Sequence, residues 1–97
     1  MRAGYVYIMA NRKNGTLYIG STADLHARVA EHKSGTAPGS FTAKYGCDKL
    51  VYYEFYDAIG DAVAREKAMK RYKRSWKIEL IERDNADWRD LRLDWDD

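Results

Sequence analysis

The chain has 97 residues, 45% of them apolar, with one proline, one cysteine and a formal net charge of +2. That is enough for one small domain, which buries only about 60–65% of its unfolded surface, and the apolar content excludes a disordered chain. The lone Cys47 excludes a disulfide framework or a CxxC zinc site, runs such as Tyr5 to Ala10 fall far short of the ~20 apolar residues that cross a bilayer, and Met1-Arg2-Ala3-Gly4 carries no secretory h-region, so the expected location is cytoplasmic.

Gly4 to Ala10 is rich in β-branched and aromatic residues and predicts a strand. Asn11-Arg12-Lys13-Asn14-Gly15 reads as a turn, because Asn-Gly tolerates positive φ, and Thr16 to Gly20 as the return strand of a hairpin. Alternation puts Val6 and Ile8 on one face with Leu17 and Ile19 opposite them. The other face carries Tyr7 and Tyr18, which stand side by side if the two lie opposite each other. By itself such a pair is an ordinary cross-strand aromatic contact.

Ser21-Thr22-Ala23-Asp24 predicts a helix start with a hydroxyl cap, and the helix runs from about residue 23 to Ser34 and stops at Gly35. Leu25, Val29 and Ala30 form its apolar stripe. Arg28 and His32, one turn apart, border that stripe near the sheet, while His26, Glu31 and Lys33 read as surface groups. Residues 36–47 are rich in loop-favouring types, with Ser40, Thr42 and Lys44 as polar groups able to reach a phosphate. Residues 49–56 predict a third strand. Asp57 is placed to cap a second helix over about 58–74, followed by a helical stretch over about 75–83 and a last turn between Asn85 and Leu93.

The element order is β-β-α-β-α-α: an α/β (α+β) chain with a three-stranded antiparallel sheet flanked by helices, spanning residues 1–97 as one domain with an acidic tail over about 84–97. The stripe of the second helix reads Ile59, Ala62, Val63, Glu66, Met69, which puts a carboxylate in the middle of an apolar face. An acid there requires a cation: Lys70 one turn on, Arg28, or a metal ion. A single carboxylate with waters and a substrate phosphate is an arrangement suited to Mg²⁺.

Charge is segregated. Residues 1–78 carry 14 Lys and Arg against 7 Asp and Glu, whereas residues 79–97 carry 3 against 8. Within residues 65–77 stand seven cations, Arg65, Lys67, Lys70, Arg71, Lys73, Arg74 and Lys77, with Glu66 the only acid and Tyr72 and Trp76 interleaved. That density of cations beside aromatics predicts a phosphate-binding surface, and hence a nucleic-acid partner, for Lys67, Lys70, Arg71, Lys73, Arg74 and Lys77.

Tyr5-Val6-Tyr7, Tyr18-Ile19-Gly20-Ser21-Thr22, Arg28 and His32 on the next helix and Glu66 on a later one together resemble the GIY-YIG nuclease superfamily, in particular its small stand-alone bacterial members. The resemblance runs from about Gly4 to Trp88, with Tyr5-Val6-Tyr7 in place of Gly-Ile-Tyr. It implies a metal-dependent endonuclease cutting phosphodiester bonds in DNA, RNA being the other substrate class. Such a cut is structure-directed or weakly sequence-specific and serves DNA repair or processing. It further implies that Tyr7 and Tyr18 line the active site, Arg28 holds the scissile phosphate, His32 helps activate the water or a tyrosine, and Glu66 is the single ligand of one Mg²⁺ or Mn²⁺. Which group takes the proton stays open: Tyr has a reference pKa of about 10 and His about 6.5. Many members carry an Asn after the glutamate; here Asn85, Lys73 and Lys77 are the residues available for that place. With no added DNA-binding domain, targeting would fall to a protein partner or an oligomer. The rival is a nucleic-acid-binding module without catalysis, which has no use for an acid among phosphates.

Overall fold

The computed structural model describes residues 2–36 and 41–95; Ser40 lies outside them. β1 (Gly4–Ala10) is the central strand, flanked by β2 (Leu17–Thr22) and β3 (Lys49–Tyr56) in the order β2-β1-β3, both pairings antiparallel. Between β2 and β3 lie α1 (Leu25–Ser34) and a short α2 (Phe41–Tyr45). After β3 come α3 (Ile59–Lys70), α4 (Arg74–Asp84) and a 3₁₀ turn over Leu91–Asp94. The three-stranded antiparallel sheet with flanking helices is the architecture expected from the sequence. The segment read as loop contains α2 as well, a five-residue helix too short to show a period.

The helix boundaries differ from the pattern for local reasons. α1 is capped by Asp24, whose side chain accepts from the Ala27 N–H at 3.1 Å, while the Thr22 hydroxyl accepts from the Asp24 N–H at 3.0 Å. Gly35 ends α1 at φ +78, the left-handed conformation that favours glycine. Asp57 does not cap α3; that place is Ala58, with no side-chain bond. α3 stops at Lys70 rather than 74, and Lys73, extended at ψ 156, starts α4.

The sheet has a core on each face. On one, Val6, Ile8, Ala10, Ile19 and Val51 pack against Met69 of α3, Leu80 and Ile81 of α4, and Trp88. On the other, Tyr7, Met9 and Leu50 pack with Leu25 and Val29 of α1 and with the buried Cys47. Ala30 is exposed and adds nothing to the α1 stripe. The register of β3 shifts between Ile8 and Met9, so Tyr53 and Phe55 share a face with Tyr5 and Tyr7 while Leu50 joins that face beyond the bulge. β2 is left as an edge strand.

Candidate active site

Tyr7 lies opposite Gly20, not Tyr18, whose partner in register is Met9. The two phenols are therefore diagonal neighbours on one face, ring centroids 6.2 Å apart. Glycine at 20 is a steric requirement: a Cβ there would stand 2.6 Å from Tyr7 Oη and 3.0 Å from the Tyr18 ring. The Tyr7 ring crosses the space that a side chain at 20 would fill.

α1 brings His32 onto the same phenols. His32 is 3% exposed and not an exposed flank residue; its Nε2 is 2.8 Å from Tyr7 Oη and its Nδ1 2.8 Å from the buried Thr42 hydroxyl of α2. Its ring lies 5.0 Å from that of Tyr18. Burial, then the charge of Tyr18, pushes the Tyr7 phenol well above its ordinary range, outweighing Arg28, whose charge and hydrogen bonding pull the other way. Burial and then the Arg28 charge lower His32, against Glu31. Near neutral pH Tyr7 is thus a phenol and His32 a neutral imidazole. The Tyr7 O–H then donates to Nε2, which leaves Nδ1–H to donate to Thr42 Oγ1. Arg28 is half-buried and pairs with Glu31 at 2.8 Å, so Glu31 is not a free surface charge.

Glu66 comes from the opposite side of the sheet. Its carboxylate accepts from the Ser21 hydroxyl of β2 and from Lys70 one turn on, each at 2.5 Å. Burial alone would raise its pKa; the hydrogen bonds from Lys70 and Ser21 and the charges of Lys70 and Lys67 outweigh it and hold Glu66 below the usual carboxylate range. The negative charge of Glu66 also contributes to raising Tyr7, which ties the two sides of the β2 edge together electrostatically. No group of three or more His, Cys, Asp or Glu side chains that could hold a metal exists among the described residues. A single ionised carboxylate oxygen donor does fit an ion that keeps waters and phosphate for the rest of its shell, with Lys70 as its competitor.

Two partners in this constellation were not expected in these roles. Ser21 holds Glu66, and its parity carried the signal, since it falls on the face opposite Tyr18, toward α3. Thr42, read as a possible phosphate contact, holds His32 instead; nothing local in the sequence joins residues 32 and 42. Of the basic run, Arg65 is taken up by Glu54, and Arg74 donates to the carbonyls of Asn14 and Gly15 at 2.8 and 2.6 Å. Lys67, Arg71 and Lys73 are exposed, and Lys77 is half-buried.

The model of the GIY-YIG catalytic domain matches residues 3–79. The chain belongs to the GIY-YIG family. Among its relatives, a UPF0213 protein of Syntrophus aciditrophicus is 35% identical over 81 residues, covering 84% of this chain and 92% of that protein. Another, from Clostridium perfringens, is 38% identical over 77 residues, covering 79% and 81%. The solution structure of a UPF0213 protein from Bacillus halodurans superposes with a TM-score of 0.52 at 29% identity, over 84% of this chain and 85% of that one. The three strands and their helices are thus the GIY-YIG arrangement, and the Tyr18-Ile19-Gly20 motif lies on the free edge of its sheet.

Within that GIY-YIG frame, Asn85 is far from filling a place beside the glutamate. It is 6% exposed, its amide donates to the carbonyls of Val51 and Arg89, and its carbonyl accepts from the Arg89 N–H. That is a structural clamp between α4 and β3. Lys73 lies over the ring of Trp76, its Nζ 5.0 Å from the centroid. Lys77 instead lines a depression with Tyr18 and with Lys70, the lysine that donates to Glu66.

Proposed function

We propose that this chain is a metal-dependent endonuclease that hydrolyses phosphodiester bonds in DNA. The observation that carries it is the convergence at the β2 edge of a neutral, buried imidazole on a phenol, a guanidinium beside them, and an ionised carboxylate from the other side of the sheet. Glu66 would hold one Mg²⁺ or Mn²⁺, which when bound supplies charge stabilisation to the phosphoryl and leaving oxygens. Arg28 exchanges Glu31 for the scissile phosphate, where its planar fork offers two parallel donors. His32 Nε2 is the basic atom. Tyr7 passes its O–H proton to it and takes one from the attacking water, so no free phenolate has to form at neutral pH. Thr42 keeps Nδ1–H engaged and so keeps Nε2 as the acceptor. Lys67, Lys70, Arg71, Lys73 and Lys77 supply cations for the flanking phosphates.

The test is cleavage of duplex, nicked, flapped, branched and single-stranded DNA, with RNA alongside, in Mg²⁺ or Mn²⁺. Wild type is compared with Glu66→Ala and an EDTA control. Metal-dependent cutting that disappears in Glu66→Ala is the expected result. Binding without cutting, unaffected by that substitution, would overturn the enzyme in favour of a binding module.

A further inference from the structure

The free edge of β2 continues away from Glu66 as a cationic channel. Next to Tyr18 and Lys70 lies a depression of about 200 Å³ walled by Leu17, Ile19 and Lys77. Leu17 and Lys77 are shared with a second, of about 550 Å³, which ends on Arg12, Thr16 and Arg74 at the β1–β2 turn. The two together carry Lys70, Lys77, Arg74 and Arg12 and no carboxylate among the residues lining them. Lys77 is half-buried, Arg12 is exposed, and neither forms an ion pair among the described residues. A partly desolvated ammonium without a counter-charge favours an anion beside it. The strand beneath is an edge, so its outward N–H groups have no sheet partner.

Arg74 has a different part. Its Nη2 donates to the carbonyls of both Asn14 and Gly15, and Asn14 sits at φ +58. It ties the hairpin turn to the start of α4 and so sets Arg12 across the channel from Lys77. We infer that this channel is the track of one nucleic-acid strand leading from the catalytic centre, with Lys77 and Arg12 each neutralising a backbone phosphate and Arg74 positioning the turn that presents Arg12. This rests on the nuclease reading and extends it to a surface that includes the β1–β2 turn, outside the α3–α4 cations.

The test is fluorescence anisotropy of a labelled oligonucleotide, as single strand and as duplex, between about 50 and 200 mM salt without metal. Lys77→Ala and Arg12→Ala are each expected to flatten the slope of log K against log salt by about 0.9 on duplex and about 0.7 on single strand, as one lost phosphate contact does. Arg83→Ala, in a separate depression with Tyr72 and Trp76, is expected to leave it unchanged. In an Arg74→Ala background, where the turn is released, Arg12→Ala is expected to change the slope by less than it does alone. Unchanged slopes for Lys77→Ala and Arg12→Ala in a protein that still cleaves would overturn the track and leave the nuclease standing. A wild type that neither binds nor cleaves any substrate would overturn both.

Discussion

Tyr7 and His32 divide the proton chemistry between them. The phenol is pushed up by burial and the imidazole down, so across neutrality the form with O–H on Tyr7 and a free Nε2 dominates. A base must be deprotonated to act, so cleavage should rise with pH through a value below 6.5 and then stay flat across neutrality. A pH–rate profile still climbing toward pH ~10 would instead assign the proton to free phenolate. His32→Ala should cost about 10²–10⁴ in kcat. Gly20→Ala brings a Cβ to 2.6 Å from Tyr7 Oη in a site with no slack, so it should destabilise by about 1–3 kcal/mol and move both phenols. Chemical denaturation and turnover on the same variant should both fall.

At the scale of elements, α3 is held to the sheet by an ion pair as well as by Met69. Glu54 on β3 accepts from both Nε and Nη2 of Arg65, at 3.1 and 3.2 Å, from Tyr56 at 2.6 Å, and from Tyr52; Arg65 also donates to Tyr72 at 2.8 Å. Burial would raise the Glu54 pKa, but the hydrogen bonds from Arg65, Tyr52 and Tyr56 prevail and lower it. Its folded pKa is therefore below its ordinary value of 4.5, and its stabilisation is complete above that pH and lost as pH falls through the folded value. Glu54→Gln should remove this acid-side loss from a curve of Tm against pH. At pH 7 it should cost on the order of 1–3 kcal/mol, because the half-buried Arg65 is left with no matching charge. The same arrangement shows what the basic run of residues 65–77 is made of. Arg65 belongs to the interior joint and Arg74 to the hairpin turn, and periodicity could not separate them from Lys67 or Lys77, since partners on β3 and the turn lie outside the helix.

Over the whole molecule, the acidic C-terminal segment and the cationic surface lie at opposite edges of the sheet. Asp90, in the acidic C-terminal part, pairs with Lys33, caps the 3₁₀ turn and accepts from the Leu50 N–H at 3.1 Å. That docks the segment on the β3 side of α1, while the cationic channel follows β2 at the other edge. Trp88 is fully buried at φ +57, with its indole N–H donating to Glu82 at 2.7 Å, and Asn85 beside it clamps α4 to β3. Asn85→Ala should lower stability by about 1–3 kcal/mol, as leaving Val51 and Arg89 carbonyls unpaired does. Turnover measured well below Tm should be retained; a collapse in turnover at full folding would instead place Asn85 in the chemistry.

The sequence by itself determined the strands, their order among the longer helices and the family. Alternation in Gly4–Ala10 and Leu17–Thr22, the Gly35 stop and the Tyr18-Ile19-Gly20 motif are local signals, set by backbone geometry within a few residues. It also put an acid, Glu66, on a face where it needs a cation, and the cation found there is Lys70. Only the tertiary structure decided the register that lays Tyr7 over Gly20, the hold of Thr42 on His32 and of Ser21 on Glu66, and the removal of Asn85 from the site. Those are contacts between elements far apart in the chain. They are chosen by how two cores pack on the two faces of one small sheet, and no spacing along the sequence encodes that packing.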